Sequence, residues 1–173
     1  MTEQDIRKLL GMINSIFPTF KVENPERTVK IWTEFLGDQD AASIGASLKN
    51  YVRTDTSGFA PSIGQLIQGA YSLQNHEELS AAEAWSKVYK AICNSAYHSE
   101  EEFNKLPEVV QLAVGSANQL RTWATDDEFN ESVTSALFRK SYATACERKK
   151  TDALMSPDVR MFIENTKIKE IEG

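Results

Sequence analysis

Glycine and proline are scarce, with 8 and 5 in 173 residues, where average usage puts the two together at roughly 12%. A many-stranded sheet needs such residues at its turns, so their shortage points to helices. Cysteine is scarcer still: Cys93 and Cys146 lie far apart, with no C-x-x-C pair. That spacing supports neither a disulfide framework nor a zinc knuckle, and both thiols are expected as small core residues. No apolar run approaches the ~18 residues that a membrane helix requires. The opening Met-Thr-Glu-Gln-Asp lacks the basic and then apolar character of a secretory signal, so a cytoplasmic protein is expected, with no membrane partner. Basic charge is also short, at 19 Lys and Arg against 25 Asp and Glu, for a net charge of −6. Such a surface makes autonomous nucleic-acid binding a poor expectation.

The remaining composition, 41% hydrophobic and 25% charged, is that of a globular chain, long enough to bury roughly 70% of its unfolded surface. Helical stripes recur along it. Thr2 with Asp5 has the spacing of a capping box, followed by Ile6, Leu9, Leu10, Ile13 and Ile16 on one face. Asn24-Pro25 then opens a helix carrying Val29, Trp32, Phe35 and Leu36, stopped by Gly37. Asp40 caps a third with Ile44, Leu48, Tyr51 and Val52, and Ser62 opens a fourth with Ile63, Leu66, Ile67, Ala70 and Tyr71. Short connections predict that these four pack as one unit, residues 1–76.

A polar stretch then leads to Ser80 and Glu83, a second capping-box pattern ahead of Trp85, Val88, Tyr89 and Ile92. Ser99 with Glu102 repeats the signal, and Pro107 breaks the next stretch into a turn and a new helix ending at Gly115. After Leu120 and Trp123, Thr125-Asp126-Asp127 is read as the start of a long helix. Phe129, Val133, Ala136 and Leu137 form one stripe on it, with Phe138, Tyr142 and Ala145 beside them. So broad an apolar face predicts a mostly buried helix, running to about Lys150. The fold expectation is thus all-α: a four-helix unit, a second small helical unit over 80–150, and a partly ordered tail over 151–173.

Signatures of chemistry are missing. Gly64 and Gly69 have phosphate-loop spacing, yet Ala70-Tyr71 stand where Lys and then Ser or Thr would contact phosphate and magnesium. His76 and His98 are the only histidines and fit loop or helix-end roles. Glu100 to Glu102 and Asp126 to Glu128 are expected in first helical turns, where carboxylates offset the helix dipole by ~0.3–1 kcal/mol each. Asn130-Glu131-Ser132 fits a glycosylation sequon without secretory context and is set aside. No enzyme, metal or cofactor is expected. The one dense basic feature is Arg139, Lys140, Arg148, Lys149 and Lys150. Lys and Arg in a last helical turn complement its dipole, which accounts for the final three, with nucleic-acid contact by Arg148, Lys149 and Lys150 as the competing use. Trp32, Trp85 and Trp123 sit on stripes and are read as core. In the tail, Met155, Val159, Phe162 and Ile163 are expected on one side of a short helix as a partner-binding segment, with Ile168 and Ile171 beyond them. The competing expectation is that they fold back onto the second helical unit.

Four strings in the N-terminal half carry a resemblance: Ile6-Arg7-Lys8-Leu9-Leu10 with Ile13, then Phe17-Pro18 with Phe20-Lys21-Val22, then Val29 and Trp32 with Phe35-Leu36, and finally Phe59-Ala60-Pro61-Ser62-Ile63-Gly64-Gln65-Leu66. This half resembles the helical domain of the phage replicative-helicase loader/inhibitor family, found in phages and prophages of Gram-positive bacteria. The second half is similar to the downstream part of longer prophage relatives, through Ala84-Trp85, Val88, Ala91-Ile92, Leu106 to Val110, Ala113 to Gly115 and the helix around Phe138. The resemblance implies a protein that binds a hexameric replicative helicase of host or phage, holds it inactive, and delivers it to an origin complex of replication initiator and single-strand-binding protein. Smaller family members pass directly from the N-terminal helices to a flexible helicase-engaging segment, whereas this chain interposes a second region. The alternatives are a small phage DNA-binding or origin-recognition protein and an inhibitor of another host protein.

Overall fold

Thr2 accepts a hydrogen bond from the Asp5 amide while the Asp5 carboxylate takes the Thr2 amide, and from this box the first helix runs over Glu3–Ile16 (α1). In the computed structural model, which describes residues 1–76 and 78–172 and side chains no further than Thr166, every described element is helical. The side chains of Ile168 and Ile171 therefore lie outside the described residues. The chain divides into two compact units, Met1–His76 with Ser156–Gly173, and Glu77–Met155.

In the first unit α1 is followed by α2 (Pro25–Leu36), α3 (Ala41–Thr54) and α4 (Ile63–Gln74). Asn24, Asp40 and Ser62 each accept the amide three residues on, satisfying a donor that the first turn leaves free. Ile6, Leu9, Leu10 and Ile13 of α1 meet Val29, Trp32 and Leu36 of α2, Ile44 and Leu48 of α3, and Leu66 and Ala70 of α4 in one core. Each large aliphatic side chain so buried contributes roughly 1.5–3 kcal/mol. Phe35 and Val52, expected on the inward faces, are exposed. Each lies at the edge of its stripe, beyond the arc that the neighbouring helices cover. Ser47 and Gly69 meet at the packing of α3 on α4, Ser47 being buried and Gly69 lacking the Cβ that would strike its Oγ.

The second unit contains α5 (Ala81–Asn104), α6 (Glu108–Val114), α7 (Ala117–Thr125) and α8 (Glu131–Leu154). Ser80 and Glu83 form the capping box of α5. At His98 the backbone leaves helical geometry (φ −123°, ψ 32°), so α5 consists of two helical stretches joined across a kink, the second beginning at Ser99 where its capping signal stands. Pro107 and Gly115 bound α6 as their chemistry requires, Gly115 with φ +92°. Trp85, Val88 and Ile92 of α5 pack with Val110 of α6, Leu120 of α7, and Phe138 and Tyr142 of α8. Ring centroids are 5.5 Å apart for Trp85 and Phe138, and 5.8 Å for Phe138 and Tyr142. The Tyr142 hydroxyl donates to the Leu79 carbonyl at 2.8 Å, tying the lead-in of α5 to α8.

α8 departs from expectation in three ways. Its cap is Asn130, so Asp126, Asp127 and Glu128 lie in the preceding turn rather than a first helical turn. It ends at Leu154, not near Lys150, because nothing disfavours helix until Ser156-Pro157. Its buried line is Ser135, Phe138 and Tyr142, while Val133 and Leu137 are 56% and 60% exposed, so the helix is half-buried, not mostly buried. At 100° per residue Val133, Leu137, Lys140, Thr144 and Arg148 share the side opposite that line, and all are exposed. Last comes α9 (Pro157–Glu172).

Candidate partner-binding surfaces

α9 presents Val159 at 48% and Phe162 at 71% exposure, with Ile163 partly buried. These three fall at i, i+3 and i+4 and therefore share a face. Met155 stands apart from them as the C-cap of α8, partly buried and ahead of Pro157. The tail thus divides between two elements, with Thr151 to Leu154 continuing α8.

Of the basic residues, Arg148 and Lys149 are not in the last turn of α8, whose end carries no Lys or Arg. The dipole account of their position fails for that reason. Both line an open groove of about 700 Å³ between α6 and α8, together with Lys140. Its apolar surface comes from Leu112 and Ala113 on α6 and from Ala145 on α8. Ser141 and Thr144 add hydroxyls, and Glu108 and Asp152 add carboxylates. Lys150 is partly buried and is not among the lining residues. The cations are visible in the sequence but the groove is not, because Leu112 and Arg148 come to line one groove only through the packing of α6 on α8.

In the first unit Arg7 of α1 holds Glu26 of α2 through two hydrogen bonds of 3.0 and 2.9 Å. The guanidinium, through those bonds, lowers the Glu26 carboxyl below its usual range. The pair is solvent-exposed and fixes geometry more than it adds stability. A cleft of about 400 Å³ lies beside it, over Leu10, Val22 and Val29.

The remaining titratable groups act structurally. Hydrogen bonds from the Thr2, Ser43 and Ser80 ends of three helices lower Asp5, Asp40 and Glu83. Burial pushes the Tyr142 phenol up to about 12. His98 sits at the α5 kink with Nδ1 3.7 Å from Glu101, and His76 lies in the turn after α4. Cys146 packs against the second core, but Cys93 is exposed, contrary to the core role expected for it. It follows Ile92 on α5 and so points off the buried stripe. Trp32 and Trp85 are buried, and Trp123 packs partly buried on the second core. Among the described residues no three of His, Cys, Asp or Glu converge as a metal site would require, and no helix is long and apolar enough to cross a membrane.

Within the first unit, α1 to α4 form a capped four-helix arrangement offering an apolar cleft and a charged rim. Residues 1–67 match the family model for the N-terminal domain of the gene 39 protein of phage SPP1. The namesake of that model is a helicase loader/inhibitor protein. The match takes in α1 to α3 and the first turn of α4, and with them every buried core residue of the first unit except Ala70. No curated protein and no solved structure matches the chain.

Proposed function

We propose that this is a phage or prophage replication protein that binds a hexameric replicative helicase and either holds it inactive or loads it at an origin complex with initiator and single-strand-binding protein. The observation that carries the reading is the family match over residues 1–67, which takes in every buried residue of the first core but Ala70. The protein acts by occupying a helicase surface and shifting its population of states, without hydrolysing ATP itself. Ala70 and Tyr71, where a phosphate loop would need Lys and Ser or Thr, support that division of labour. The exposed face of α9, centred on Phe162, is the segment assigned to the helicase, in the manner of an amphipathic helix entering a groove.

The test is a titration of the full chain into a replicative helicase from the host or the phage, with ATP present and absent. A change in helicase ATPase rate together with co-elution on a sizing column is expected. No complex under either condition removes the proposal.

A further inference from the structure

The α6–α8 groove sets an aliphatic surface beside a row of cations. Its apolar surface is aliphatic, with Leu112 65% exposed beside Ala113 and Ala145. Along one wall stand Lys140, Arg148 and Lys149, all exposed and, among the described residues, without a carboxylate partner within ion-pair distance. Three exposed cations beside an exposed leucine stand out in a chain of net charge −6.

We infer that this groove is a docking site for an acidic peptide segment of a partner protein, anchored by an apolar side chain against Leu112. Lys140 and Arg148 are eight positions apart on α8, or about 12 Å along the axis. An extended segment spans that distance in three to four residues, so carboxylates at that spacing reach both cations while an intervening apolar residue enters the groove. A nucleic-acid strand fits less well. Among the described residues the groove's lining holds no aromatic ring for a base to stack on. The inference is independent of the helicase proposal, since it concerns the second unit and names the chemistry of the occupant rather than its owner.

The experiment is fluorescence anisotropy of the full chain with a labelled twelve-residue peptide bearing glutamates four residues apart and leucines between them. Controls replace Glu by Gln or Leu by Ala, and an oligothymidylate serves as the nucleic-acid arm. Expected are saturable binding that weakens with salt, loss of binding by both control peptides, and a fall of about tenfold for Arg148→Glu, with a smaller fall for Leu112→Ser. These residues are exposed, so unchanged melting curves should certify the variants. Amide chemical-shift changes in the unaltered protein, confined to the Leu112, Ala113 and Ala145 region, give a readout that needs no variant. Absence of peptide binding, equal binding of the Gln peptide, or oligothymidylate bound in place of the peptide would each overturn the inference.

Discussion

Gly69 of α4 lies directly over Ser47 of α3, so close that a Cβ at position 69 would collide with the buried Ser47 hydroxyl. Gly69→Ala should therefore destabilise the first unit by about 1–3 kcal/mol, the usual cost of overpacking. Chemical denaturation is the measurement. Introducing Ser47→Ala first should reduce that cost, because the colliding atom is gone and the Ser47 Cβ sits at ordinary contact distance. Equal costs in both backgrounds would show that the helices simply move apart.

Tyr142→Phe should lower the second unit's stability by about 1–2 kcal/mol, since it leaves the Leu79 carbonyl without its donor. The phenol also predicts an alkaline limb. Its folded pKa, about 12, exceeds the ordinary 10.0, so its contribution is complete below pH 10 and is lost as pH rises toward 12. Melting curves across that range should show the fall, and the Phe variant should lack this part of it.

The acid limb has the opposite sign. Asp5, Asp40 and Glu83 are lowered by the hydrogen bonds of their helix ends. Stability from these caps is present above the ordinary values of 3.8 and 4.5, and is lost as pH falls through the lowered ones. Asp40→Asn should flatten the first unit's acid limb while keeping a side-chain acceptor for the Ser43 amide. Circular dichroism during acid titration would show no difference from the unaltered chain if Asp40 plays no such part.

Phe162→Ala should weaken helicase binding by about tenfold or more if α9 is the engaging face, as expected for an exposed aromatic anchor. The melting temperature should stay unchanged, because the ring is already 71% exposed. A drop in melting temperature with affinity intact would place Phe162 in the fold instead.

Helix starts were the most legible part of this chain. Thr2, Asn24, Asp40, Ser62 and Ser80 are all caps in the structure, because capping is settled within four residues. The Ser99 signal coincides with the break at His98, whereas the same locality misleads at Thr125 to Asn130, where several cap residues compete and Asn130 prevails. Burial was less legible. Val133 and Leu137 look as apolar as Phe138 and Tyr142, and only the arc covered by α5 and α6 decides which pair faces inward. The groove was beyond local reading altogether, since its two walls come from segments some thirty residues apart.

The outward side of α8 passes from Val133 and Leu137 to Lys140, Thr144 and Arg148, so its polarity changes along the axis rather than around it. A gradient of that kind leaves no trace in a test for helical periodicity. It nevertheless gives the exposed surface a head and a tail. An elongated molecule laid along it would meet grease at one end and cations at the other, so its two possible directions would differ in free energy.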